Sequence, residues 1–206
     1  MINILCYGDS NTYGYIPGFG GERYEKDVRW TGVLQNLLGS EYNVIEEGLG
    51  GRTTVWDDPI EEYKNGKNYL IPCLQSHKPL DLVIIMLGTN DSKVRFSVPA
   101  CDIADGMENL VVKILNSSTG RNAKAPEILL VAPIRIGKLT EWTDMLSGAK
   151  QKMEQLPEKY LKIATKYRVA FLDAGSVAVP SELDGVHLDA QGHTLLARKI
   201  FEIITE

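Results

Sequence analysis

At 206 residues, 44% hydrophobic and 24% charged, the chain is long enough to bury one sizeable core without disulfide or metal staples. Its net charge of −5 is spread over interspersed acids and bases with no long basic block, which excludes electrostatic support for a nucleic-acid or anionic-membrane partner and leaves a small molecule as the expected one. Cys6, Cys73 and Cys101 lack metal-ligand spacing, no apolar run spans a bilayer, and the N-terminus shows no basic and apolar leader, so the expected setting is the reducing cytoplasm.

In chain order, a first strand is predicted at residues 2–6 and runs out at Gly8-Asp9-Ser10, where the backbone must turn. A helix near 29–39 and a strand at 42–46 follow, the strand leading to Gly48-Leu49-Gly50-Gly51. Next come a helix near 67–77 and an apolar strand at 81–87 that gives way to Gly88-Thr89-Asn90-Asp91. A helix at 100–117 and a strand at 127–132 precede an irregular segment, 133–144, which includes Trp142. The helix expected at 145–166 contains Pro157, which should bend or split it. After a strand at 169–172 and Asp184-Gly185-Val186-His187, a last helix at 190–205 takes Asp189 as its N-cap. Several strands are apolar on both faces, as a parallel sheet covered by helices requires. Five β-α repeats therefore predict a single domain over 1–206, a three-layer α/β/α sandwich with a five-stranded parallel sheet.

In such a fold ligands sit beyond the carboxyl ends of the strands. Ser10 follows strand one, Gly50 and Gly51 follow strand two, Asn90 follows strand three, and Asp184 and His187 lie between strand five and the last helix. All open onto one edge. A serine hydroxyl becomes a nucleophile when a base takes its proton, and His187 is the candidate base. Asp184, three residues earlier, can fold back to fix the imidazole tautomer and stabilise the imidazolium. His77 and His193 fall at a helix end and inside a helix and read as structural or solvated. Attack on an ester creates an oxyanion, for which the Gly51 and Ser10 N–H groups and the Asn90 side-chain amide are the candidate donors. Asp9 and Asp91 read as partners in local turn hydrogen bonds, outside proton transfer.

Gly8-Asp9-Ser10-Asn11, the glycine-rich block ending at Gly51, Gly88-Thr89-Asn90-Asp91 and Asp184-Gly185-Val186-His187 resemble, in order and spacing, the four blocks of the SGNH, or GDSL, hydrolases. Longer strings, among them Arg29-Trp30-Thr31-Gly32-Val33-Leu34 and Phe171-Leu172-Asp173-Ala174-Gly175-Ser176-Val177, resemble the bacterial arylesterase and acyltransferase branch. The resemblance implies a flavodoxin-like sandwich, a Ser10–His187–Asp184 triad with no metal or other cofactor, an oxyanion hole of Ser10, Gly51 and Asn90, a small-molecule ester substrate and a homo-oligomer. Asn11 departs from the leucine usual after the serine, and Tyr13 from a tryptophan. Tyr13, Trp30, Val186 and Leu188 are the expected apolar neighbours of the site, and the 133–144 segment is expected either to mediate subunit contact or to cover the site.

The expected activity is a serine esterase for short-chain acyl or aryl esters, with acyl transfer to alcohols as an added capability. Alternatives are a carbohydrate acetylesterase, a lysophospholipase or thioesterase, and, outside enzymes, a flavodoxin-like binding module. The last lacks a Gly-x-Gly-x-x-Gly turn and leaves Ser10, Asn90 and His187 unexplained. With no amphipathic insertion to serve as an interfacial lid, short acyl chains are favoured over long ones.

Overall fold

The computed structural model describes every residue except Phe19. Its strands are β1 (Ile2–Gly8), β2 (Tyr42–Gly48), β3 (Leu82–Met86), β4 (Glu127–Ala132) and β5 (Ala170–Asp173), all parallel, in the order β2-β1-β3-β4-β5. This is the flavodoxin-like order, and its direction of winding reverses between β1 and β3. Register sets Gly8 of β1 beside Gly48 of β2 and Met86 of β3, so the turns after these strands emerge together at that reversal.

Alternation along the strands builds two cores. Leu5, Tyr7, Val83, Ile85, Ile128 and Leu130 face one side. Ile4, Cys6, Ile84, Met86, Leu129 and Val131 face the other. The first side is covered by α3 (Gly66–His77), α4 (Ala100–Leu115) and α5 (Ala149–Tyr167), the second by α2 (Trp30–Leu38) and α6 (Ala190–Thr205). Each helix buries one apolar stripe, as in Ile103, Met107, Leu110 and Ile114 of α4. A four-residue helix, α1 (Ser10–Tyr13), follows β1 directly and is absent from the periodicity because it is too short to show one.

Asp189 caps α6 as expected, its carboxylate accepting the Gly192 N–H at 2.7 Å. Pro157 does not split α5, which runs unbroken to Tyr167 because Met153, Leu156, Tyr160 and Ile163 anchor its buried face on both sides of the proline. Among the described residues no helix is long and apolar enough to cross a membrane.

Candidate active site

Asp9 follows β1 and caps α1 by accepting the Asn11 N–H at 3.0 Å, which fixes Ser10 at the first helical position. The Asp184 turn is built by its own side chain. Oδ1 accepts the N–H groups of Val186 and His187 at 2.8 and 2.9 Å, while Gly185 takes a φ of +76°, where a side chain would strain and collide with the Lys138 carbonyl. Folded this way, the turn aims Asp184 Oδ2 at His187 Nδ1, 2.7 Å away, and His187 Nε2 lies 2.9 Å from Ser10 Oγ. Asp184 is fully buried and His187 is 5% exposed. Burial works to raise the Asp184 carboxyl, but the hydrogen bonds from the His187 ring and the two backbone N–H groups outweigh it and hold the group below its ordinary value. A hydroxyl bonded to an imidazole that is bonded to a carboxylate can give up its proton as it attacks an electrophile.

The other predicted donors converge on the same place. Ser10, Gly51 and Asn90 all line one cavity of about 320 Å³ with His187. Gly51 has a φ of +81°, and a Cβ there would come within 3.0 Å of Glu61 Oε2. Among the described residues the Ser10 and Gly51 N–H groups have no protein acceptor, so both are available to a ligand. Asn90 Nδ2 spends one N–H on the Arg52 carbonyl at 3.1 Å, which orients the amide and leaves its second N–H uncommitted. Arg52 is itself buried, bonded through Nη1 to the Gly8 and Glu47 carbonyls and stacked on the Tyr7 ring at 4.2 Å. One arginine thus ties the ends of β1 and β2 to the asparagine.

The apolar neighbours need correction. Of the four expected, only Val186 lines the cavity. Trp30 and Leu188 are sealed in the core between the sheet and α2 and α6, because the face of α2 that carries Trp30 turns toward α6, where its N–H meets His193 Nδ1 at 3.2 Å. Tyr13 points away and lies under the Arg23 guanidinium at 4.4 Å. The rings that shape the cavity are Tyr15, stacked on His187 at 4.3 Å, and Trp142, edge-on to His187 at 5.5 Å. Trp142 comes from the 133–144 segment, which is tied to the Asp184 turn by the Gly137 N–H to Gly185 carbonyl bond and by Thr140 to the Leu183 carbonyl. Through Trp142 that segment contributes one wall of the cavity.

Asn11, noted in the sequence only as a departure from leucine, holds the histidine turn. Its Oδ1 accepts the Leu188 N–H at 2.9 Å and its Nδ2 donates to the Val186 carbonyl at 3.3 Å, so one buried amide grips the backbone on both sides of His187. Asp91 makes no merely local turn bond. It accepts the backbone N–H of Thr54 at 3.0 Å and the Thr54 hydroxyl, 37 residues away. Burial pushes its carboxyl up to about 6, and does the same to Asp9.

Among the described residues, Glu47, Cys73 and His77 bring ligand-type atoms within 4.8 Å of one another. Their chemistry fits a metal poorly. His77 Nε2 is already paired with Glu47 Oε1 at 2.8 Å, and burial, with the Glu47 charge, pushes the Cys73 thiol up to about 12. None of the three lines the Ser10 cavity.

A serine, histidine and aspartate joined in this way at the winding reversal of a flavodoxin-like sheet define an α/β hydrolytic fold, and the comparisons give it a family. Residues 6–195 match the GDSL-like lipase/acylhydrolase family. The chain belongs to that family and is a carboxylic ester hydrolase. It is similar over its whole length to the aryl esterase of M. smegmatis, with 42% identity, 99% of that chain covered and a TM-score of 0.95. A carbohydrate acetylesterase from Sinorhizobium meliloti is similar at 39% identity and a TM-score of 0.95, with 100% of this chain and 99% of that one covered. An acetylxylan esterase of Xylanibacter ruminicola shares 28% identity over 98% of this chain, which spans only 42% of that relative's length.

Proposed function

We propose that the chain is a serine esterase that cleaves short-chain acyl or aryl esters through an acyl-enzyme. The hydrogen-bonded series Ser10 Oγ, His187 Nε2, His187 Nδ1, Asp184 Oδ2 carries this reading. Ser10 Oγ attacks the ester carbonyl as His187 takes its proton, and Asp184 stabilises the imidazolium. The oxyanion is received by the Ser10 and Gly51 N–H groups and by Asn90 Nδ2. His187 then protonates the departing alkoxide, and water, or an acceptor alcohol in acyl transfer, repeats the attack in reverse. The Tyr15 and Trp142 faces beside His187 suit an aromatic or sugar leaving group, in line with the aryl and carbohydrate esters named for the relatives.

The acyl preference is for acetate to about butyrate, since a cavity of about 320 Å³ stands at the small end of ligand sites. On p-nitrophenyl esters below their micellar limits, kcat/KM should peak at butyrate or shorter, whereas a maximum at octanoate or beyond favours a lysophospholipase or thioesterase. The protein works as one domain, in the cytoplasm, where its free Cys6, Cys73 and Cys101 stay reduced, and as a homo-oligomer. Ile60 and Tyr63, 74% and 89% exposed, support an oligomer by offering apolar surface to a second copy. A monomer mass of 22.9 kDa by sedimentation at all concentrations removes that last claim.

The deciding experiment is covalent labelling. An organophosphonate should add to Ser10, located by peptide mass analysis, and Ser10→Ala should lose both label and esterase activity. Full activity in Ser10→Ala overturns the mechanism and revives the binding-module reading.

A further inference from the structure

The Ser10 cavity has two unlike walls. Tyr15 and Trp142 pack on the His187 ring, so a leaving oxygen facing Nε2 departs along aromatic surface. Beside Gly51 and Asn90 the wall is charged and is formed by Glu61 and Lys93. Lys93 is only 3% exposed, a burial that lysine rarely tolerates without partners. Its Nζ stands 3.1 Å from Glu61 Oε1 and 3.7 Å from Asp58 Oδ2, and Arg95 reaches the same two carboxylates at 3.4 and 3.0 Å. Two cations balance two anions, so the quartet holds out no net charge to an ionic ligand.

It does hold out one acceptor and one donor. Glu61 Oε2 accepts no protein hydrogen bond among the described residues, and it sits close enough to Gly51 to crowd any side chain placed there. Lys93 Nζ has three N–H groups and, among the described residues, a single acceptor within hydrogen-bond distance. The triad and the oxyanion donors use neither group. A hydroxyl is the small neutral group that accepts from an ammonium and donates to a carboxylate at once. An apolar substituent seated there covers Glu61 Oε2 and the remaining Lys93 N–H groups without bonding either, and a site built on such a pair discriminates against the analogue that lacks the hydroxyl.

We propose that Glu61 and Lys93 form a hydroxyl-binding subsite, selecting esters that carry a hydroxyl on a carbon close to the ester group. The proposal rests on the esterase reading above. The hydroxyl can belong to the alcohol, as in a partly acylated polyol or sugar, or to the acyl group.

The test uses two pairs of esters that differ only by hydroxyl for methyl: 2-hydroxyethyl acetate against propyl acetate, and ethyl glycolate against ethyl propionate. In at least one pair the wild-type kcat/KM ratio should favour the hydroxylated ester about tenfold, and the pair that does so tells which side of the ester faces Glu61. Glu61→Leu should bring that ratio close to one, and Glu61→Gln, which keeps an acceptor, should restore part of it. Lys93→Met should also flatten the ratio, but it leaves Asp58 buried with one cation fewer and can unfold, so Glu61→Leu, checked by thermal melting, decides. Ratios at or below one in both wild-type pairs, or a ratio unchanged in folded Glu61→Leu, overturn the subsite while leaving the esterase reading intact. Absence of hydrolysis of all four esters by wild-type protein that cleaves p-nitrophenyl acetate overturns the subsite alone, and absence of p-nitrophenyl acetate hydrolysis as well overturns both.

Discussion

Asp184 and Asp9 are both buried, at 0% and 1% exposure, and both feel the charge of His187, yet their carboxyls move in opposite directions from the ordinary value. Burial disfavours the anion in each. At Asp184 three donors answer it, the His187 ring and the N–H groups of Val186 and His187. At Asp9 the Asn11 N–H bonds Oδ1, while Oδ2 is buried without a partner among the described residues, and burial prevails, pushing the group up to about 6 despite the His187 and Arg52 charges. Proximity to the histidine therefore does not make a carboxylate its partner. Converging donors do, because they offset the desolvation that the anion suffers.

The contrast breaks first under substitution by asparagine. Asp184→Asn should lower kcat on the order of 10⁴-fold, by presenting an amide to His187 Nδ1 and upsetting the tautomer. Asp9→Asn keeps the cap on α1 and should retain most of the wild-type kcat. If the two variants lose activity equally, the division of roles is wrong. The same site is probed next at its donor: Asn90→Ala should cost kcat on the order of 10²–10³-fold with a smaller change in KM, since its amide acts on charge that develops only in the transition state. A near-silent Asn90→Ala means that the oxyanion is held elsewhere.

Asp9 makes a stability prediction of the opposite sign to that of Asp184. With a folded value of about 6, raised above the unfolded one, its contribution is fully present below the ordinary carboxylate range and is lost as pH rises through 6. Asp9→Asn should therefore be more stable than wild type at pH 8, by roughly 2–3 kcal/mol, with the gap closing near pH 4. Urea midpoints at the two pH values measure it, and a gap independent of pH refutes it. Asp184 contributes in the other sense, stabilising above its lowered value and losing that contribution as pH falls through it.

What could be read from the sequence follows from how local each signal is. The strands were legible because Ile4 and Leu5, or Ile84 and Ile85, are apolar on both faces, and Ser10, Asn90 and His187 because each lies in a short string at the end of a strand. Trp30 was misplaced because a helical stripe marks a buried face without saying whether core or cavity lies beneath it. Tyr15, Glu61 and Lys93 were missed as cavity walls because loops far apart in sequence bring them together, whereas Trp142 was anticipated as one of two readings of the 133–144 segment. Asn11 did leave a signal, as a polar residue in place of the leucine usual after the serine. Its effect should be intermediate: Asn11→Leu frees the backbone on both sides of His187 and should lower kcat roughly tenfold with KM little changed, because it misaligns the base and leaves substrate contacts alone. A lowered melting temperature with wild-type kcat in the folded Asn11→Leu protein would recast Asn11 as a simple structural prop.

The smallest effect concerns the second histidine of the same region and sharpens the contrast in its cationic form. His187 has a carboxylate on Nδ1, whereas His193, six residues on in α6, uses Nδ1 to accept the Trp30 backbone N–H and, among the described residues, keeps Nε2 buried without a partner. Burial lowers its pKa to about 4, with Asp189 opposing and the His187 and Arg29 charges reinforcing the shift. Between its ordinary value and about 4, the unfolded chain binds a proton that the native protein refuses, so stability from this group is full above the ordinary range and declines as pH falls. The decline is about 1.4 kcal/mol per pH unit within that window. Asp9 and Asp91, both raised to about 6, work against it over the same interval, so the wild-type protein alone is a poor witness. His193→Gln preserves an acceptor for the Trp30 N–H and removes the titration. From pH 6.5 to 5 the wild type should lose about 2 kcal/mol relative to this variant in urea unfolding, and parallel pH profiles for the two proteins would show that His193 is protonated within the fold.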